Sequence, residues 1–99
     1  MQLEVLTPDA LLYKGIVKHI VLPGLDGSFG VLDNHAPMIA GLKKGSVKVQ
    51  QDPEANKQDL TGEIFGKLTK ENHNKAEFTF DIKGGVVEVK GNKVIVLAE

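Results

Sequence analysis

At 99 residues, with Lys plus Arg numbering 12 against 13 Asp plus Glu and no cysteine, the chain fits one domain that buries about 60–65% of its unfolded surface. The even charge balance gives no electrostatic draw to nucleic acid or anionic lipid. The lack of cysteine removes disulfides, thiolate metal sites and a cysteine nucleophile together. Apolar runs are as short as Ile20-Val21-Leu22, so none spans a membrane, and "MQLEVLTPD" shows neither the basic nor the apolar region of a secretory signal.

In chain order the dominant pattern is alternation with period 2. "QLEVLT" puts Leu3 and Val5 on one face and ends at Pro8-Asp9. "GIVKHIVLPG" is apolar on both sides, with Ile16, Ile20 and Leu22 expected on one face and Val17 and Val21 on the other. Such a strand is central or covered by something else. Leu25 to Gly27 reads as a turn, because Gly27 can take positive φ, and Ser28 to Leu32 resumes an extended course. "GSVKVQQ" alternates Val47 and Val49 with Lys48, and "EFTFDIKGG" alternates Phe78, Phe80 and Ile82 with polar residues. After Gly84-Gly85 come Val87 and Val89, a turn at "KGNK", and "VIVLAE". The expected fold is all-β, a two-sheet β-sandwich of about ten short strands in a single domain, 1–99.

Residues 51–75, "QDPEANKQDLTGEIFGKLTKENHNK", break that rhythm. Pro53 to Gln58 could form a helical turn, but Gly62 and Gly66 argue against a helix running through Leu68. The segment reads as a long polar hairpin insert: an outbound arm near Gly62 to Leu68, a turn at Asn72 to Asn74, and a return arm entering Phe78.

The chemistry-bearing residues do not assemble into a recognisable motif. Gly24, Gly27 and Gly30 are spaced GxxGxxG, unlike a dinucleotide fingerprint, and no helix or Lys-Ser/Thr pair follows to receive a phosphate. His19, His35 and His73 lie on separate segments without ligand spacing. Asp26, Asp33 and His35 could converge on a metal, but a loop histidine is more often a hydrogen-bonding or interface residue. Ser28, Asp33 and His35 supply the residue types of a hydrolase triad, yet nothing forms an exposed nucleophile elbow. The aromatics Tyr13, Phe29, Phe65, Phe78 and Phe80 lack the basic groove that single-stranded nucleic acid requires. No lysine stands in the tripeptide of a lipoyl or biotinyl carrier. No catalytic, metal-binding or cofactor-binding residue is therefore expected. The remaining readings are a domain whose site is a surface, or a stand-alone small β-sandwich that binds a ligand or peptide.

The stretch "LEVLTPDALLYKGIVKHIVLPGLDGSFGVLDNHAPMIAGLKKGSVKV" closely resembles the N-terminal domain of the epsilon subunit of F-type ATP synthase. The resemblance rests on the opening strand ending in Thr7-Pro8, the Gly15 turn, "LPGxxGxFGVLxxHAPxIAxLKxG", and the tail "GGVVEVKGNKVIVLAE". It implies a non-catalytic central-stalk subunit of the proton-translocating enzyme, without cofactor. Such a subunit binds the gamma subunit, contacts the c-ring, and meets the other F1 subunits only indirectly. It implies a peripheral location on the cytoplasmic side of the bacterial inner membrane, with no insertion into the bilayer.

By that resemblance the loop Asp26, Gly27, Ser28 and Phe29 faces the c-ring, and Thr7, His35 and Ala40 face gamma, with "HAP" at 35–37 fixing the path between. Many members carry an acidic residue at the position of Ser28, which leaves Asp26 or Asp33 to supply that carboxylate here. Members usually continue from "VLAE" into a helical hairpin that holds an inhibitory conformation and in some binds ATP. The resemblance therefore implies a short form without that helical domain, without its inhibition and without nucleotide binding. The 51–75 insert is expected to extend the stalk contact or to be a solvated loop.

Overall fold

The computed structural model describes residues 1–59, 67–72 and 75–99. Its organising element is a 14-residue strand, β2 (Leu11–Gly24), which serves two sheet layers in succession. The first half of β2 pairs antiparallel with β1 (Gln2–Leu6). The second half pairs with β3 (Gly27–Leu32) on one side and β5 (Gly45–Gln51) on the other. One layer continues from β1 to β8 (Lys93–Ala98), β7 (Gly85–Lys90) and β4 (Met38–Leu42). The other continues from β5 to β6 (Glu77–Ile82). A single pairing of Gly24 with Leu42 joins β4 back to β2. The hydrogen-bonded network is thus continuous, and the fold is a β-sandwich.

Eight strands lie among the described residues rather than about ten, because β2 runs unbroken and the insert holds helix. The register of β2 shifts between Val17 and His19. An extra residue at a bulge reverses the inward and outward phase of a strand. Tyr13 and Val17 therefore point inward before the shift, and Ile20 and Leu22 after it. This corrects the expected faces: Val17 belongs with Ile20 and Leu22, and Ile16 is only half-buried.

The core forms from cross-strand rows. Ala40, Val87, Val96, Val5 and Tyr13 are successive partners across the first layer. Val31, Ile20, Val49 and Phe78 are partners across the second. All of these except half-buried Ala40 are buried, and Tyr13 and Phe78 meet with ring centroids 5.3 Å apart. Burial of this apolar surface from both inner faces is the main term holding the layers together.

The insert is not an extended hairpin in its described parts. Pro53–Asp59 forms helix α1 and Lys67–Asn72 forms helix α2; residues 60–66 and the expected turn at 73–74 lie outside the described residues. The Asp52 carboxylate accepts from the Ala55 N–H at 3.1 Å, an N-cap followed by proline at the first helical position.

A buried polar network docks both helices. Tyr13 Oη donates to Gln51 Oε1 at 2.7 Å, and Gln51 Nε2 donates to the carbonyls of Asn72 and Lys75 at 2.6 and 2.7 Å. Asn56 accepts from the Ile16 N–H at 2.6 Å and donates to the Ile16 carbonyl at 3.1 Å. Burial pushes the Tyr13 hydroxyl pKa well above its ordinary value, outweighing the opposing hydrogen bond with Asn56.

Candidate functional site

The loop expected to face the ring is the tip of the β2–β3 hairpin. Gly24 pairs with Gly27, leaving Leu25 and Asp26 as the turn, and Gly27 sits at φ 129°, where a side chain would be strained. Asp26, Gly27 and Ser28 are exposed, whereas Phe29 is half-buried and lies over Gly24. The tip is sewn to β4: the Leu25 N–H donates to the Gly41 carbonyl at 3.2 Å, and the Lys43 N–H to the Pro23 carbonyl at 2.8 Å.

The three residues expected to face gamma are spread over the first layer. Thr7 closes the β1–β2 turn, its N–H donating to the Ala10 carbonyl at 2.8 Å. It follows Leu6, the partner of Leu97, so it lies at the same end as the hairpin tip. His35 lies at the opposite end, beyond Asn34, whose N–H donates to Asn92 Oδ1 at 2.8 Å. Its ring Nδ1 is 2.7 Å from the Ala36 carbonyl. Asp33, at that end, pairs with the Met1 ammonium. Ala40 turns inward against the core, and its strand neighbours Ile39 and Gly41 carry the outward positions. Among the described residues no group of three His, Asp or Glu comes together as a metal site would require.

Between Thr7 and His35 lies the outer face of the first layer, apolar at its Thr7 end and mixed beyond. One cross-strand row runs Gly41, Val86, Leu97, Leu6 and Leu11, and the next runs Ile39, Glu88, Ile95, Glu4 and Lys14. Ile39 is 73% exposed, Leu97 54% and Val86 41%. Leu25, 66% exposed, extends this surface to the hairpin tip by resting over Gly41. A groove of about 450 Å³ beside Ile39, lined also by Pro37, Met38 and Glu88, opens on the same side.

The outer face of the second layer differs in chemistry. Its rows read Leu32, His19, Gln50, Glu77 and Gly30, Val21, Lys48, Thr79, with Ser46 donating to Asp81 at 2.6 Å at its edge. Apart from Leu32, 61% exposed at its edge, this face is polar, and a contiguous apolar surface on one side of a sandwich marks a domain that docks by that face.

Reading from the residues alone missed Leu25, Ile39, Val86 and Leu97. A signal was present in "VIVLA", which is apolar at both phases of the alternation, the mark of a strand covered on both sides; "VVEVK" is apolar at one phase only, with Val86, Glu88 and Lys90 at the other.

Three comparisons with known proteins bear on this arrangement. Residues 1–62 match the family model described as ATP synthase, delta/epsilon chain, β-sandwich domain. The chain is 35% identical over 98 residues to the ATP synthase epsilon chain of Chlorobium limicola, covering 99% of this chain and 88% of that one. It is also 35% identical over 97 residues to that of Chlorobaculum tepidum, covering 98% and 86%. Among solved structures it superposes on a chain of the Euglena gracilis mitochondrial ATP synthase F1 and c-ring assembly with a TM-score of 0.69 at 18% identity, spanning 97% of this chain and 48% of that one. A chain from the central stalk and c-ring of the Tetrahymena thermophila enzyme gives 0.64 at 16%, spanning 99% and 62%. The two structural likenesses carry the fold, and the sequence relatives carry the kinship. The chain belongs to the ATP synthase delta/epsilon β-sandwich family, as a non-catalytic chain of the epsilon type.

Proposed function

We propose that this chain is a central-stalk subunit of a proton-translocating F-type ATP synthase, seated on the gamma subunit by the outer face of β1, β8, β7 and β4. In this reading the tip at Asp26 to Phe29 meets the c-ring. The chain then has no chemistry of its own and couples rotation of the ring to that of the stalk. The observation that carries the reading is the continuous apolar surface of Leu25, Ile39, Val86 and Leu97. It joins the hairpin tip to a face bracketed by Thr7 and His35, so one rigid body can touch ring and stalk together.

The assignment to the cytoplasmic face of a bacterial inner membrane, peripheral and held through other subunits, follows from the same reading. No helix among the described residues is long and apolar enough to cross a membrane. Cysteine cross-linking in the assembled enzyme tests the ring contact. Because the chain lacks native cysteine, Ser28→Cys is a unique probe. It is expected to cross-link to a cysteine placed in the polar loop of a c subunit, and Lys48→Cys on the opposite sheet is not. Equal cross-linking from both positions would contradict the proposed orientation.

A further inference from the structure

Beside the apolar row, the outer face carries charge, and Glu88 stands there between two isoleucines. Glu88 on β7 is paired across the sheet with Ile39 on one side and Ile95 on the other, and Val86, two residues along, is on the same face. Glu88 lines one groove with Val86, Ile95 and Leu97 and a second with Ile39 and with Lys90, two residues along the same strand. Among the described residues Glu88 makes no ion pair. The other acidic residue of that row, Glu4, has Lys93 Nζ 3.7 Å from Oε2. A partner covering Ile39, Val86 and Leu97 with apolar surface would also take the Glu88 carboxylate out of water. A buried carboxylate without a partner is strongly unfavourable, whereas one met by a hydrogen-bonded cation is tolerated and confers selectivity.

Resting on the docking reading above, we infer that Glu88 is a specificity residue of this face and that the gamma surface seated on it carries a lysine or arginine opposite the carboxylate. An arginine suits the position best, since its planar fork meets both carboxylate oxygens and is more weakly hydrated than an ammonium. The apolar residues supply the area and Glu88 fixes the register. A gamma surface of similar shape without the cation is excluded by the desolvated charge.

The inference is tested by titrating the gamma chain of the same organism with the full chain and its Glu88→Gln and Glu88→Lys variants at low and high salt. Leu97→Asp reports on the face itself. Glu88 is exposed, so the thermal melts of its variants should match that of the parent. Glu88→Gln is expected to weaken binding on the order of 30-fold or more and to flatten its salt dependence. Glu88→Lys should bind worse still and be restored by one Lys→Glu or Arg→Glu substitution in gamma, which identifies the partner side chain. If Glu88→Gln binds as the parent does while Leu97→Asp fails, the docking face stands and the inference is overturned. A parent chain that does not bind gamma overturns both.

Discussion

The side chain of Leu25 rests on Gly41. A Cβ built at residue 41 would lie 2.6 Å from Leu25 Cδ1, so the hairpin tip can fold over β4 only because that position has no side chain. This contact joins the two halves of the proposed surface, and it separates geometry from stability. The colliding atom is the far end of a flexible side chain, so Gly41→Ala is expected to change folding stability by no more than about 1 kcal/mol. Leu25 is pushed off β4 all the same. A thermal melt near that of the parent, with a measurable loss of gamma binding, is the expected pair of results.

Gly85 is the opposite case. Its φ is 153°, and an added Cβ would meet the Leu97 carbonyl oxygen at 2.2 Å, where only backbone could yield. Gly85→Ala should therefore cost about 2 kcal/mol or more, read as a lowered midpoint in chemical denaturation. A neutral result would show that the start of β7 is free to shift away from β8.

Gln51 is 1% exposed and ties Tyr13 to the two carbonyls at the end of the insert. Removing it strands the buried Tyr13 hydroxyl and Asn72 carbonyl and frees the part-buried Lys75 carbonyl, so Gln51→Ala should cost about 3 kcal/mol. Tyr13→Phe removes only one donor and should cost less. Denaturant titration of the two variants orders them.

The raised pKa of Tyr13 adds a pH dependence of defined sign. Its hydroxyl stays neutral in the folded state above the ordinary tyrosine value of about 10, so the unfolded chain loses that proton first. The associated stability is intact below about pH 10 and falls as pH rises beyond it, by at most about 1.4 kcal/mol per pH unit. The chain has one tyrosine and no tryptophan. Tyrosinate absorbance thus reports this residue alone, and it should appear together with unfolding rather than before it.

His35 has its ring Nδ1 2.7 Å from the carbonyl of its neighbour Ala36 and lies outside the core. Replacing it by alanine should move stability by no more than about 0.5 kcal/mol, while costing more than about 1 kcal/mol in gamma binding if it anchors that end of the face. A melt combined with a titration reads both. Severe unfolding would make the histidine structural instead.

Most of the sandwich is legible in the sequence because its strands obey period 2. Leu3 and Val5, Val47 and Val49, and Phe78 and Ile82 all point inward as their alternation requires. The turn at Leu25-Asp26 and the punctuation at Gly84-Gly85 follow from glycine chemistry. The phase of β2 was hidden because a bulge leaves no compositional mark. Helix α1 was legible as a helical turn at Pro53 to Gln58, whereas α2 was not, and the length of α1 and its docking were hidden for a different reason. Residues 53–59 carry no apolar stripe to signal them, and their order comes from Asn56 and Gln51 reaching groups distant in sequence. The docking face was half visible: the doubly apolar strand β8 could be read, but the register that sets Val86 beside Leu97 and leaves Glu88 between Ile39 and Ile95 is a property of the assembled sheet.

Binding of gamma to charge-bearing variants on the two outer faces decides whether the apolar face is the docking face. Ile39→Asp and Leu97→Asp place carboxylates on the apolar face, whereas Val21→Asp and Thr79→Asp place them on the polar one. The first pair is expected to abolish gamma binding with the fold intact, and the second pair to bind as the parent does. Loss of binding from the polar face with retention from the apolar one would contradict docking by the apolar face.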